Sequence, residues 1–486
     1  MTRSVAPHTY GLVDALADVA RSSPERPAIV HNGQTISYSA VSAGMWTVAD
    51  HVGPNPGAIG VLATHSASTI VGMLGVWAAG GTYCPIDPTF PAQRQQAMIA
   101  AAGCRTVLDP AALAAVGGVR RPLVIDPEKP AYIMFTSGST GEPKPVVTPR
   151  RAIETTVASL RDLFELSPSD RVLQFASLNW DTCLEEILPA LTAGACLVIH
   201  DEAHTRSFPR FLRMIDSERI TVLDLPTAFW HELVHYLVED RFTLPRCLRL
   251  VIIGGEAASP ARLADWCGLD VAHIRLLNTY GCTETTLITH AVDLHGPAAP
   301  EFGEPWDQAA QVPIGWPLAH VGQRITGDGE LIISGPCLAL GYRGLPDATA
   351  ARFTDIDGGR AFRTGDRVSV RLDGMLTYLG RFDNEIKIRG IRVDPAEIEV
   401  HIAAHPAVSA VVVVGVDVAD HTTLAAYVVP RPNADVSTVA AELRQYLLAR
   451  LPAHLIPSRI SIVDDVAHTA TGKIDRTLMR RLFDER

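Results

Sequence analysis

The sequence predicts an α/β protein. We expect a large N-terminal domain of layered, largely parallel sheets and helices with a small β-barrel-like part, then a small α+β C-terminal domain. Three observations predict this. Short apolar runs alternate with helix-period segments through the first two thirds, closely spaced strands begin near Glu330, and a compact βαββα order begins near Gly380. A length of 486 residues exceeds one ordinary domain. The division is expected between residues 1–381 and 382–486, across the polar stretch Arg381-Phe382-Asp383-Asn384.

The apolar runs lie at 58–63, 131–136, 196–200, 221–225 and 250–254, and helical periods at 152–163, 208–216 and 260–266. Strands are expected at 330–334, 367–372 and 375–379, the last two joined by the turn pair Asp373-Gly374. In the C-terminal part, 395–405 reads as a helix, 408–416 and 424–430 as strands, and 436–450 as a helix. Residues 66–86 carry no charge, which raises a membrane span. Gly72, Gly75, Gly80, Gly81 and Pro85 dilute the run, so we read a buried helix near 67–79, a turn and a strand.

Hydrophobic residues make up 47% of the chain and charged residues 20%, which excludes disorder. The net charge of −11 excludes general nucleic-acid or anionic-membrane binding but leaves room for a local phosphate pocket. The eight cysteines form no CxxC pair and no small disulfide framework. Residues 1–11 lack a secretory pattern, so the expected location is cytoplasmic.

Chemistry first shows at Thr136-Ser137-Gly138-Ser139-Thr140-Gly141-Glu142-Pro143-Lys144, directly after an apolar run. Glycines bring backbone N–H groups close to an anion, hydroxyls add donors, and Lys144 adds charge. Such a loop suits polyphosphate; the alternative is a Ser/Gly-rich surface turn. The Walker spacing is absent. His231-Glu232-Leu233-Val234-His235 is a literal HExxH on an expected helix, but no partner motif supplies a third zinc ligand.

Together with that loop, several strings in order resemble the adenylate-forming superfamily, and within it the stand-alone adenylation domains of nonribosomal peptide synthetases. They include Trp77-Ala78-Ala79-Gly80-Gly81-Thr82-Tyr83-Cys84-Pro85-Ile86-Asp87-Pro88 and Asn278-Thr279-Tyr280-Gly281-Cys282-Thr283-Glu284. Phe362-Arg363-Thr364-Gly365-Asp366, Gly380-Arg381-Phe382-Asp383, Lys387-Ile388-Arg389-Gly390 and Thr471-Gly472-Lys473-Ile474-Asp475-Arg476 continue the series.

The resemblance implies ATP and Mg²⁺ as cofactors. It implies that Thr136, Ser137, Gly138, Ser139, Thr140, Gly141 and Lys144 hold phosphates, that Tyr280 stacks on adenine beside Gly254, Gly255 and Glu256, and that Asn278 borders the same site. Asp366 would bind the ribose hydroxyls, with Arg381 reaching the ribose and phosphates. Thr283 would touch the α-phosphate, Glu284 would hold the metal, and Lys473 would bridge the substrate carboxylate and the α-phosphate. Asp383 would be the hinge about which the small, mobile domain turns between adenylation and thiol transfer. Taken singly, Asp366 reads as a turn acid, Lys473 as a solvated lysine and Glu284 as a helix cap.

Asn179-Trp180-Asp181-Thr182-Cys183-Leu184-Glu185-Glu186 matches the segment where amino-acid-activating members carry an acid for the α-ammonium. Glu185 follows Asp181 by one helical turn, so both carboxylates face one pocket. Family alignment completes the pocket with Thr182, Ala228, Ile252, Gly254, Thr279, Leu287 and Ile288, closed by Lys473. A second acid without a cationic partner is expensive to desolvate, so the expected substrate is basic, lysine or ornithine foremost. The alternative is that Glu185 turns outward or pairs with an arginine.

Departures from the family pattern are Cys282 for Pro, Pro145 for Gly, Arg150 where His is common, and Ala467 and Ala470 for prolines. No Leu-Gly-Gly-x-Ser motif follows Lys473, so the expected acceptor is a separate phosphopantetheine-bearing carrier protein, with an MbtH-like helper an open question. The other functional readings are an acyl- or aryl-acid CoA ligase of the same fold, disfavoured by Asp181, and a catalytically idle adenylate-binding scaffold.

Overall fold

The computed structural model describes residues 11–113, 126–138, 141–300, 311–418, 421–467 and 474–484. Of the residues singled out above, Ser139, Thr140, Ala470, Thr471, Gly472 and Lys473 lie outside these ranges, as do residues 1–10 of the N-terminal stretch.

Two sheets form the large domain. In the 14-stranded sheet, the parallel part runs through Pro27–His31, Cys196–Ile199, Arg171–Leu173, Val222–Pro226, Leu250–Gly254 and Arg275–Gly281. Helices cover it, so Cys196–Ile199 and Leu250–Gly254 are buried almost throughout, as continuous apolar runs require. Ile288–His295, Pro313–Pro317, Leu376–Arg381, Gly359–Val370, Glu330–Ser334 and Gly322–Ile325 continue the sheet in antiparallel pairing. The second sheet has six strands and contains Ala58–Leu62, Thr82–Ile86, Pro130–Thr136 and Lys144–Pro149. Tyr38–Val52, Ala67–Ala78 and Thr182–Ala193 contribute to one core with strands of both sheets.

The uncharged run at 66–86 is that core helix and the strand after it, and no described helix is long and apolar enough to cross a membrane. Its glycines serve close packing. A Cβ on Gly75 would lie 2.4 Å from the Cβ of Val48 and 2.8 Å from the carbonyl oxygen of Met45.

The small domain holds a hairpin (Ile386–Ile388 with Ile391–Val393), the helix Pro395–Ala403 and the paired strands Val408–Val418 and His421–Pro430. The helix Val439–Leu448 follows. Two elements go beyond the expected order. Arg459–Ile462 pairs parallel to His421–Pro430, and Arg476–Asp484 is helical. The strand is only 4 residues, half-buried throughout, too short to show a period. The expected strand at 367–372 instead ends at Val370, and Leu372 stands fully exposed in the turn before Gly374.

The parallel strands finish in register at Pro226, Gly254 and Thr279. Ligands of open α/β sheets bind beyond such carboxyl ends, and the main cavity lies there. Because the helix contact at Gly75 leaves no room for a methyl group, Gly75→Ala should destabilise the fold by about 1–3 kcal/mol, read by denaturant unfolding.

Candidate active site

A cavity of about 620 Å³ opens between the sheet ends, the helix Thr182–Ala193 and the hairpin of the small domain. Its wall includes Asp181, Thr182, Glu185, Gly254, Thr279, Leu287 and Ile288, together with Thr136, Gly255 and Thr283. Two residues placed in this wall by alignment are elsewhere. Ala228 is buried in the first turn of the helix Thr227–Glu239, and Ile252 belongs to the apolar core beneath the cavity. Asp224, at the end of the neighbouring strand and in register with Ile252, lines the cavity instead.

Asp181 stands just before its helix and accepts a hydrogen bond from Thr283 Oγ at 3.2 Å. Burial, with Glu284 nearby, raises its carboxyl to about 6 despite that bond. One turn on, Glu185 meets Asp224 within hydrogen-bonding reach; burial and repulsion from Asp224 raise Glu185, while burial raises Asp224 to about 7 although the bond from Glu185 lowers it. Two such groups hold one proton between them. Glu185 therefore neither turns outward nor pairs with an arginine. Glu186 is buried behind it and accepts from the backbone N–H of Phe175 (2.9 Å) and Ala176 (3.0 Å) and from Gln174 Nε2 (2.9 Å).

The groups expected around a nucleotide are covered by the small domain. The Tyr280 hydroxyl donates to Asp366 at 2.5 Å, and Lys387 Nζ sits 5.7 Å from the centre of the Tyr280 ring. Arg381 donates to the other oxygen of Asp366 at 2.6 Å and grips Asp383 and Glu385. Glu256 accepts from the Gly390 N–H at 2.9 Å. Gly255 has φ +88°, and a Cβ there would lie 2.9 Å from the Gly390 Cα, so glycine is required on both counts. Gly138 N–H donates to Glu397 Oε2 at 3.1 Å, and the Gly141 carbonyl accepts from His401 at 3.1 Å.

Glu284 is fully buried. Burial alone would raise its carboxyl, but Arg392 at 3.0 Å and the Tyr342 hydroxyl at 2.7 Å hold it down at about 2. A buried carboxylate kept ionised by a cation fits the expected metal acid.

Other expected residues do not converge here. Asn278 faces away from the cavity and donates to the Pro313 carbonyl at 2.7 Å, because strand alternation puts Thr279 and Gly281 on the cavity side. Lys144 Nζ lies 6.0 Å from the centre of the Tyr342 ring. Arg150 is buried against the Gly81 carbonyl (2.9 Å), outside the cavity wall. In the HExxH string, His231 is buried and accepts from the Ser259 N–H at 2.9 Å, whereas His235 is exposed beside Glu239. No group of three or more metal-ligating side chains occurs among the described residues, so nothing supports a zinc centre there.

The two-domain architecture and the cleft define the adenylate-forming enzyme fold. The chain belongs to the AMP-binding enzyme family, whose profile matches residues 16–343, with the AMP-binding enzyme C-terminal domain matching 397–473. It is similar to an isonitrile lipopeptide synthase of Streptomyces coeruleorubidus, at 39% identity over 96% of this chain and 33% of that protein. The phenyloxazoline synthase MbtB of Mycobacterium tuberculosis is 32% identical over 98% of this chain and 35% of its own length. The chain thus spans about a third of these relatives. Among solved structures, the artificially fused adenylation-PCP di-domain NpsA-ThdA from Klebsiella oxytoca matches with TM-score 0.80 and 26% identity over 93% of each chain.

The acids of the cavity make its stability pH-dependent. Asp224 has a folded value raised above the unfolded one, so folding favours its protonated form. That contribution is complete below the ordinary carboxylate range and is lost as pH rises through about 7. Asp224→Asn should therefore raise the melting temperature of ligand-free protein by about 2 °C more at pH 8 than at pH 5.

Proposed function

We propose that the protein uses ATP to activate an amino acid as its aminoacyl-AMP and passes the acyl group to the phosphopantetheine thiol of a separate carrier protein. The observation that carries this reading is Asp181 in the cavity wall, fixed by Thr283 and placed to receive an α-ammonium. In the first step a carboxylate oxygen attacks the α-phosphorus and pyrophosphate leaves with the bonding electrons. In the second the carrier's sulfur attacks the acyl carbon, AMP leaves, and the thiol proton passes to solvent.

Thr283 lies beside Asp181, where carboxylate and α-phosphate would meet, and Lys473 would neutralise the charge moving between them. Glu284 would hold Mg²⁺, which when bound neutralises phosphate charge. Asp366 would orient the ribose and Gly138 would offer its N–H to a phosphate oxygen. Asp383, tied to Arg381, would be the hinge between 1–381 and 382–486.

The substrate we assign is a basic amino acid. Glu185 and Asp224 form an anionic end in a cavity whose other walls include Leu287 and Ile288. A distal ammonium there would replace the shared proton and meet two carboxylates. The adenylation-PCP proteins among the structural neighbours support a carrier as acceptor, and coenzyme A in its place would identify the CoA-ligase reading.

Pyrophosphate exchange with a panel of amino acids tests the assignment. Basic substrates should lead, and Glu185→Gln should raise their KM roughly tenfold or more while leaving neutral ones little changed. A panel led by neutral side chains would refute the basic assignment. Lys473→Ala should lower exchange roughly hundredfold or more with every substrate.

A further inference from the structure

Glu284 and Tyr342 belong to two segments of the large domain that are laced together. The Ala339 N–H donates to the Glu284 carbonyl at 2.9 Å, and the Thr286 hydroxyl donates to the Cys337 carbonyl at 2.6 Å. A few residues on, the Tyr342 hydroxyl donates to Glu284 Oε1 at 2.7 Å. The other oxygen, Oε2, meets Arg392, which lines the cavity. One oxygen of this acid is thus held from within the large domain, and the other is presented to a cation at the cavity wall.

Tyr342 is itself held firmly. Gly341–Tyr342 is a two-residue strand paired with Val147 and Val146, in the strand that begins at Lys144. The Tyr342 N–H donates to Thr349 Oγ1 at 3.0 Å. Gly341 has φ +129°, and a Cβ there would lie 2.4 Å from Thr349 Cγ2, so glycine is required for this approach. The ring packs edge-on against Phe353, and Lys144 Nζ stands 6.0 Å from its centre. Tyr342 is buried, and Glu284 gives its hydroxyl the partner that a buried phenol needs.

We propose that Tyr342 is a positioning residue that makes Glu284 a one-oxygen metal acid and so selects Mg²⁺ over Ca²⁺. A free carboxylate can offer both oxygens to one cation. Ca²⁺ accepts such a pair at about 2.3–2.6 Å, whereas Mg²⁺ demands near-octahedral geometry at about 2.0–2.1 Å, which so narrow a bite distorts. With Oε1 committed to Tyr342, Glu284 offers Oε2 alone, the arrangement that suits the smaller ion. The same tyrosine stands beside Lys144, so one residue sets both the metal acid and the lysine that ends the phosphate loop. The inference rests on reading Glu284 as the metal acid.

Calorimetric binding of α,β-methylene-ATP to the full chain, with Mg²⁺, with Ca²⁺ or with EDTA, tests it. In wild type Mg²⁺ should tighten binding of the analogue about tenfold or more beyond what Ca²⁺ achieves. Tyr342→Phe removes only the hydroxyl. It should leave the affinity in EDTA within about twofold of wild type and keep or raise the gain from Ca²⁺. The gain from Mg²⁺ should fall about tenfold, since partners of a ligating group are commonly worth roughly 10–100-fold in metal affinity. A merely structural role would lower all three affinities together. An unchanged Mg²⁺-to-Ca²⁺ ratio in Tyr342→Phe overturns the proposal.

Should Tyr342→Phe not fold, infrared difference spectra of wild type carry the test. Adding Mg²⁺ to the analogue complex of protein with isotope-labelled glutamate reports the carboxylate stretches, and Glu284→Gln identifies the Glu284 bands. One-oxygen coordination widens the separation of the asymmetric and symmetric stretches, and two-oxygen coordination narrows it. A widened pair with Mg²⁺ is expected. A narrowed pair overturns the proposal while leaving Glu284 a metal acid. Metal-dependent binding that survives unchanged in Glu284→Gln removes the reading of Glu284 on which the inference rests. Failure of wild type to bind the analogue under any condition removes the functional reading, and the proposal with it.

Discussion

The burial of negative charge in one cleft is the constraint on which the arrangement of this protein depends. Asp181, Glu185, Glu186, Asp224, Glu284, Asp366 and Glu385 are all buried or nearly so. An isolated ionised carboxylate cannot persist there, and the fold answers in three ways. A proton serves Glu185 and Asp224, backbone N–H groups serve Glu186, and arginines serve Glu284, Asp366 and Glu385. Each answer matches a different chemical role. The proton can be exchanged for a cation, the amides belong to the backbone, Arg381 comes from the strand beside Asp366, and Arg392 reaches Glu284 from the small-domain hairpin.

That division maps onto the architecture. The groups answered by protons and amides belong to the large domain alone, at the carboxyl ends of its parallel strands and on the helix packed against them. The groups answered by arginine lie where the large-domain strand ending at Arg381 meets the small-domain hairpin. The candidate substrate wall thus belongs to the large domain, while Arg392 compensates Glu284 from the small one. Gly390 packs closely over Gly255 where the two domains meet.

Much of this was legible in the sequence. The parallel strands appeared as apolar runs because helices cover both faces, and Asp181 and Glu185 fell on one face because one helical turn separates them. Asp224 was hidden inside such a run. A five-residue strand, Val-Leu-Asp-Leu-Pro, reads as hydrophobic whichever way its one acid points. Aligning Ala228 to the pocket misplaced the wall by four positions, from the strand end into the next helix. Asn278 was separable in principle, since strand alternation sets it opposite Thr279. The Arg392–Glu284 pair was not readable, because it spans 108 positions and depends on how two domains dock.

The proton between Glu185 and Asp224 also sets how the pocket tells ligands apart. A neutral side chain leaves that proton in place and meets a singly charged, hydrogen-bonded pair whose charge it cannot neutralise. A cationic side chain must first displace the proton into water. That displacement costs more as the pH falls, because burial and the neighbouring Asp224 hold the Glu185 proton tightly. Under the proposed assignment, discrimination for a basic substrate would come from two carboxylates facing one charge, and it would weaken as the medium is acidified. A single acid at its ordinary value would hold its charge over the whole range but would be far more costly to bury alone. Pairing two acids lets the empty pocket hold one negative charge in place of two and still present both carboxylates when a cation enters.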